Sequence, residues 1–370
     1  MYGYNHGGNA VFENGKEKIM DLSANINPLG MPENVKNAVI NEIENCNCYP
    51  DNFSARLRER IAKFENVKAD WIFCGNGTSD IIFRLPKMIQ AKKVMIAAPS
   101  FQDYERSAGS HNSEIVRYQL YPETGFALNG GFIEAVRHEK PDLIFVCNPN
   151  NPTGQIVKSG QIGELLEAGR QPGALVVVDE CFLDFVEHAN EYTSKVFLER
   201  YPNLVILKAF TKLFALPGIR LGYAICADRA CVDSFYFHGA DWPVSNLAQA
   251  AGIAALEDAE NFIKQTAAYV TAERTAIEKE LCRLRFGLFE AKANYVFLQN
   301  PYPFDLCEEL DKKNIRIRSC GNFPGLDNSY YRIAVSKKEY NARLLAAIAE
   351  ITKPYLNAEY LNLAKRRDFQ

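Results

Sequence analysis

Lys212 lies in the segment Ala209-Phe-Thr-Lys212-Leu-Phe-Ala-Leu-Pro-Gly-Ile-Arg220-Leu-Gly-Tyr223, directly after an apolar run, Leu204-Val-Ile-Leu-Lys208. The spacing puts an amine just past the end of a buried strand, with a guanidinium eight residues on. Upstream, a carboxylate closes a β-branched run, Val176-Val-Val-Asp179, and an amide sits in an Asn-rich turn, Asn148-Pro-Asn-Asn151-Pro-Thr-Gly154. Taken singly, each has an ordinary reading. A lone lysine is usually a solvated surface residue. An Asp after a strand is often a cap or turn former, and Asn-Pro-Thr-Gly suits a plain turn. The set is more specific, because all four groups fall near strand ends, where open α/β sheets place ligands. A lysine amine, a strand-end carboxylate, an amide and an arginine are the parts that hold and polarise pyridoxal phosphate. That cofactor carries its own chemistry and takes attachment, orientation and electrostatics from the protein.

Two further stretches reach the same sheet edge. Gly75-Asn-Gly77-Thr78-Ser79-Asp leads from strand to helix. Backbone N–H groups at a helix start, beside two hydroxyls, suit a phosphate, although Thr or Ser there is also an ordinary cap. Pro99-Ser-Phe101-Gln-Asp-Tyr104 offers rings that either pack in the core or stack on a flat heterocycle.

The elements that must position these groups read as an α/β fold. Short β-rich runs at Trp71–Cys74, Val94–Ala98, Leu143–Cys147, Leu175–Asp179, Leu204–Lys208 and Leu221–Cys226 alternate with helix-period stretches such as Ser79–Ile89 and Ser159–Gly169. Such alternation implies crossover connections and a mostly parallel sheet flanked by helices. The pattern then changes. Helices are expected at Asn246–Leu256 and Glu260–Leu284, the second long enough to link two domains. Strands at Asn294–Leu298, Ile315–Ser319 and Tyr331–Val335, with helices at Phe304–Lys313 and Lys337–Ile351, form a smaller α+β unit. The expected division is an N-terminal arm over 1–45 with one helix, Glu33–Asn45, packing on the C-terminal unit. A large cofactor-binding domain follows over 46–270, then a small domain over 271–370.

At 370 residues the chain is long enough for this arrangement. Its 47% hydrophobic and 24% charged content is that of an ordinary globular protein. The net charge of −3 gives no reason to expect nucleic acid or an anionic membrane as partner. No apolar run approaches the ~18 residues of a membrane span, and the N-terminus lacks a signal pattern. Ten scattered cysteines with no Cys-x-x-Cys pair read as reduced thiols in the cytoplasm, and no metal site is expected.

On the motifs around Asn151, Asp179 and Lys212, the chain resembles fold-type I pyridoxal-phosphate enzymes of the aspartate aminotransferase superfamily over nearly its full length. Within that superfamily it resembles the histidinol-phosphate aminotransferase branch and, more closely, the L-threonine O-3-phosphate decarboxylases of cobalamin synthesis. Three stretches carry the closer match: His6-Gly-Gly-Asn9, Ser23-Ala-Asn25-Ile-Asn-Pro-Leu-Gly-Met-Pro32, and Arg318-Ser-Cys-Gly-Asn-Phe-Pro-Gly-Leu-Asp327 with Tyr331-Arg332. The resemblance implies that Lys212 forms the Schiff base and carries protons, and that Asp179 sits against the pyridine nitrogen. It implies that Asn151 bonds the ring hydroxyl, that Tyr104 stacks on one ring face in preference to Phe101, and that Cys181 lies near the other. Gly77, Thr78, Ser79, Thr211 and Arg220 would hold the cofactor phosphate. Tyr49, in Cys48-Tyr-Pro-Asp51, would reach the neighbouring subunit's cofactor in a homodimer with shared active sites. Arg318 and Arg332 would bind substrate anions, aided by His6, Asn25 and Asn151, since a guanidinium matches carboxylate or phosphate with two parallel bonds.

Two positions depart from the superfamily pattern. Phe182 stands where many aminotransferases have a tyrosine that bonds the ring hydroxyl, and Ala209 stands where Ser or Thr often contacts the phosphate. The expected reaction is decarboxylation of L-threonine O-3-phosphate or its serine analogue. Transamination is the alternative on the same scaffold, and a cofactor-binding protein without turnover is the rival from another class. A pure binder needs no clamp for substrate anions, which weighs against the rival.

Overall fold

Short runs of consecutive apolar residues make strands that are buried on both faces, the hallmark of a parallel sheet covered by helices. The computed structural model describes residues 7–8, 12–13, 16–17, 19–171 and 173–356. Seven strands form its main sheet: β1 (Ile72–Gly75), β2 (Lys93–Ala98), β3 (Glu114–Gln119), β4 (Leu143–Cys147), β5 (Leu175–Asp179), β6 (Leu204–Ala209) and β7 (Gly222–Ile225). Their order is β1-β7-β6-β5-β4-β2-β3. The four pairs β3-β2, β2-β4, β4-β5 and β5-β6 run parallel, whereas β7 is antiparallel to both of its neighbours, β6 and β1.

Side chains alternate between two cores. Ile144, Val146, Val176, Val178, Leu204 and Ile206 face one, with Ile162 and Leu166 of the helix Ser159–Arg170. Leu143, Phe145, Val177, Val205 and Leu207 face the other, with Ile81 and Leu85 of the helix Thr78–Met88. Each fully buried Val, Ile or Leu contributes roughly 1.5–3 kcal/mol, so the central strands are rigid supports. In this register Asp179 lies beside Cys147 on one side and Leu207 on the other. The carboxylate and the segment leading to Lys212 therefore emerge at one sheet edge.

The smaller unit is a four-stranded antiparallel sheet of Gly287–Phe289, Tyr295–Gln299, Tyr330–Ala334 and Arg318–Ser319, in that spatial order. The helix Lys338–Thr352 covers it through Leu344 and Ile348. One continuous 25-residue helix, Ala259–Arg283, serves both units: Ala259 packs in the large core, Ile277 and Leu281 in the small one. The expected boundary at 270 falls inside it.

The N-terminal arm is shared between the units: its first stretch packs on the C-terminal unit as expected, and its helix does not. Met20–Asp21 pairs in parallel with Ile315–Arg316, and Leu22 joins the small core. The helix Glu33–Glu42, in contrast, lies on the large unit. Its Val35 is fully buried in the large core, and Asn34 Nδ2 donates to the carbonyl of Ala254 at 2.7 Å. Residues 23–27 cross between the two. Asn27 ties this crossing down, its Nδ2 donating to Leu213 O at 2.6 Å and to Thr266 Oγ1 at 2.9 Å, and its backbone N–H to Lys212 O at 3.1 Å.

Candidate active site

The strand ends and the crossing arm enclose a cavity of about 170 Å³. Thr78, Ser79, Asn151, Asp179, Cys181, Thr211, Lys212 and Arg220 line it from the large unit, Asn25 from the arm, and Arg318 and Arg332 from the small unit. Eleven residues from scattered stretches of sequence thus meet in one place.

Lys212 sits in a single helical turn, Phe210–Leu213, that follows β6. Phe210 and Leu213 are buried in the core, which leaves Thr211 and Lys212 as the residues of this turn that line the cavity. Burial lowers its pKa to about 8, and the positive charges of Arg332 and Arg220 add to the effect. At pH 7 roughly a tenth of such an amine is neutral, about 10²-fold more than for an ordinary lysine, and that fraction is a competent nucleophile.

Asp179 is buried at the end of β5. It accepts hydrogen bonds from Tyr104 Oη at 2.7 Å and from the backbone N–H of Cys181 at 3.0 Å. Burial raises its pKa despite these donors. A desolvated carboxylate facing a cavity is stabilised by a cation placed against it.

Tyr104 does not stack on anything in the cavity, and this corrects its expected role. The helix Gln102–Ser110 begins one residue after Phe101. Tyr104 is in its first turn and points down into the sheet, fully buried, with its ring stacked on Phe145 at 4.6 Å. Phe101, still outside the helix, lines the cavity instead. Tyr104 acts from beneath, as the hydroxyl that holds Asp179.

The turn before the helix Thr78–Met88 forms a cup. Gly77 has φ 78°, and a Cβ there would lie 2.6 Å from Arg220 Nη2. A Cβ on Gly222 would lie 2.7 Å from the backbone nitrogen of Thr78. Arg220 itself adopts φ 60°, a strained choice for a side chain that has a Cβ. Two glycines and one strained arginine therefore bring a guanidinium against a helix N-terminus, an arrangement suited to an anion. Ser79 differs from its expected role in one respect: its Oγ donates to Asp103 Oδ2 at 2.8 Å. While that bond stands, its proton is directed away from the cavity.

Arg318 and Arg332 face each other directly across adjacent antiparallel strands. Like charges so paired repel. Arg332 donates Nη2–H to Ser23 O at 2.7 Å and Nη1–H to Asn151 Oδ1, while its buried Nε has no partner. Arg318 donates to Ser319 O at 2.8 Å and to Asn322 Oδ1 at 2.9 Å. Neither forms a salt bridge with a carboxylate among the described residues. Asn25 is buried with its Oδ1 unpartnered. His6 lies outside the described residues; its neighbour Gly7 lines the cavity.

Tyr49 is not brought to the cavity of its own chain. It is 79% exposed and stacks on Trp242 at 4.4 Å. Sequence reasoning gave no role to Gln102 and Cys147, which also line the cavity. Gln102 Nε2 donates to Asn322 O at 2.9 Å, linking the two units. Its place next to Phe101, straight after a strand end, was the available signal.

Pyridoxal 5′-phosphate fits these residues: a carboxylate without a cation for the ring nitrogen, an amide for the ring hydroxyl, a depressed-pKa lysine for the aldehyde, and a glycine-cleared anion cup for the phosphate. A family model described as aminotransferase class I and II matches residues 17–348. The threonine-phosphate decarboxylase of Salmonella typhimurium is 33% identical over 94% of this chain and 96% of its own. The histidinol-phosphate aminotransferase of Bacillus subtilis is 34% identical over 92% of this chain and 93% of its own. A solved structure, the histidinol-phosphate aminotransferase from Clostridium acetobutylicum, superposes with a TM-score of 0.84 at 29% identity, covering 91% of this chain and all of that one. The chain belongs to the aminotransferase class I and II family, as a pyridoxal 5′-phosphate-dependent enzyme.

Proposed function

We propose that this enzyme decarboxylates L-threonine O-3-phosphate, or its serine analogue, to an aminoalkyl phosphate of the kind used in cobalamin side-chain synthesis. The observation that carries the reading is the facing pair Arg318 and Arg332, two guanidiniums in one cavity wall without carboxylate partners among the described residues. A phosphorylated amino acid brings two anionic groups on a short skeleton, and each relieves the repulsion between the arginines.

Bound pyridoxal phosphate supplies a protonated ring that takes up the electron pair released as CO₂ leaves. Lys212 Nζ would hold the cofactor through its aldehyde and, as the amine lining the cavity with a lowered pKa, would be the group that returns a proton to the substrate carbon. Asp179 keeps the ring nitrogen protonated. An ion pair at ~3 Å with an effective dielectric near 20 amounts to roughly 5 kcal/mol. Asn151, held by Arg332, presents its amide to the ring hydroxyl; Phe182 offers no hydroxyl there. Arg318 and Arg332 choose the reaction by orientation. By holding both anionic groups of the substrate, the two guanidiniums would fix its orientation in the cavity and so which of its bonds is presented for cleavage.

The active enzyme is a homodimer in this reading. Ile40, in the helix Glu33–Glu42, and Ile43 and Tyr49, in the stretch that follows it, are exposed apolar residues, and in this reading Tyr49 of the partner subunit approaches the phosphate cup around Arg220. A monomer in solution counts against this.

Product analysis tests the reaction. Incubation with L-threonine O-3-phosphate gives CO₂ and a phosphorylated amine without a 2-oxo acid acceptor. If neither phosphoamino acid yields CO₂, while histidinol phosphate with 2-oxoglutarate yields glutamate, the enzyme is an aminotransferase.

A further inference from the structure

Directly behind the cavity, on the opposite face of the main sheet, lies a cluster of five ionisable side chains: Glu65, Glu180, Asp184, Lys195 and Lys208. Lys208 Nζ bonds Asp184 Oδ1 at 2.8 Å and lies 3.6 Å from Glu65 Oε1. Lys195 Nζ bonds Glu65 Oε2 at 2.7 Å, and Tyr223 Oη donates to Glu65 Oε1 at 2.5 Å. Glu180 is fully buried and accepts from the Ser194 N–H at 2.6 Å and from Thr193 Oγ1 at 2.9 Å. None of these groups lines the cavity.

Their placement along the chain is what matters. Glu180 follows Asp179, and Lys208 precedes Lys212 by four residues. The β5–β6 ladder ends at the pair Asp179 and Leu207. Past that point the pairing continues with the Glu180 N–H to Leu207 O bond of 2.9 Å. The cluster takes over where the ladder stops. It ties the segment after β5 (Glu180, Asp184) to β6 (Lys208), to β7 (Tyr223) and to the end of the helix Ala55–Glu65. Buried ion pairs are poor stabilisers compared with well-packed apolar residues, and their best use is to specify one geometry. The surroundings here are apolar, with Ile206 and Tyr223 in the same core, so apolar residues would have filled the space at lower cost.

We infer that Glu65, Asp184, Glu180 and Lys208 are positioning residues that fix the Asp179 carboxylate relative to the Lys212 amine. The inference rests on the reading that Lys212 and Asp179 hold the cofactor. The cluster leaves the ends of β5 and β6 a single relative setting, and the ring nitrogen and the aldehyde carbon are the two ends that this setting must match. Charge balance is local: Lys208 is flanked by carboxylates on three sides, so removing its ammonium leaves them to repel one another and open the gap between the strand ends.

The test is a pH titration of the yellow holoenzyme absorption without substrate, alongside steady-state kinetics, for Lys208→Met and for the milder Asp184→Asn. Asp184 is only partly buried and its amide keeps the shape, so this variant decides the matter if Lys208→Met fails to fold. Lys208→Met is expected to move the absorption titration by about one pKa unit and to lower kcat at least about tenfold with little change in KM, since small misplacements cost that much. Asp184→Asn moves both in the same direction by less, and Lys208→Arg restores them in part. A folded variant whose absorption titrates as in the wild type, with kcat unchanged, overturns the inference while leaving the cofactor assignment intact. A wild-type protein that takes up no pyridoxal phosphate overturns the assignment itself, and the inference with it.

Discussion

Lys208 and Lys212 lie four residues apart, on either side of the end of β6, and the fold treats them in opposite ways. Burial alone would lower the pKa of Lys208, but Asp184, Glu65 and Glu180 outweigh it and raise the value. Burial also lowers that of Lys212, and there the neighbouring charges, Arg332 and Arg220, push further the same way, to about 8. The carboxylates show the same division. Lys208 and Lys195 hold Glu65 below its ordinary value against the effect of burial, whereas Asp179 has only neutral donors and rises. On one face of the sheet edge Lys208, Lys195, Glu65 and Asp184 are joined in ion pairs, with Glu180 beside them held by neutral donors and its pKa raised by burial. The other is a set with its counter-ions withheld, and the withheld partners match the cofactor and a doubly anionic substrate. A functional group is recognised here less by being buried than by being buried without the partner that its neighbours across the sheet receive.

The comparison can be broken most severely at Lys212. Lys212→Ala is expected to lower turnover by about 10⁴-fold or more, since attachment and proton transfer both go, while thermal unfolding changes little. Next comes Asp179→Asn, which should still bind cofactor yet lose roughly 10²- to 10³-fold in kcat, as several kcal/mol of charge stabilisation disappear at 1.36 kcal/mol per tenfold. Near-wild-type turnover of this variant would remove Asp179 from the mechanism. Arg332→Lys keeps the charge but loses the fork. It should lower kcat/KM by about 10- to 100-fold, and a variant as efficient as wild type would mean that Arg332 does not touch substrate. Tyr104→Phe sharpens the comparison by taking one neutral donor from Asp179; it should cost about 1–3 kcal/mol of apoenzyme stability, read as a lower unfolding temperature, whereas Phe101→Leu should leave stability almost unchanged. The smallest effect is a pH dependence. Neutral amine is what captures the aldehyde, so the rate of apoenzyme reconstitution with pyridoxal phosphate should rise with pH and level off above about 8. A rate that keeps climbing towards the range of an ordinary lysine would show that burial does not depress Lys212.

Much of this site is legible in the sequence because strands announce themselves as apolar runs, and the chemistry sits at their ends. Asp179, Lys212, Arg220 and the glycines of the cup are all adjacent in sequence to a strand terminus, so finding the strand finds the residue. The arginines at 318 and 332 were readable as strand residues, but their cross-strand pairing depends on the register of two segments that sequence leaves open. The orientation of Tyr104 is not legible in the sequence, because whether a ring after a strand faces a cavity or the core turns on where the next helix starts, and that start, at Gln102, shifts each side chain by about 100° per residue. The arm helix Glu33–Glu42 has too weak an apolar stripe to name its host, with Val35 its one buried residue. The ionic cluster is invisible in the sequence for a different reason: its five charged members come from four separate segments, and none of these segments shows which others it meets.

The most direct measurement is borohydride reduction of the yellow holoenzyme followed by peptide mapping, since it asks which of the two lysines at the end of β6 carries the cofactor. The account predicts a pyridoxyl group on Lys212 alone, in the native enzyme and in Lys208→Met alike. A label on Lys208, or on any other lysine, would contradict it.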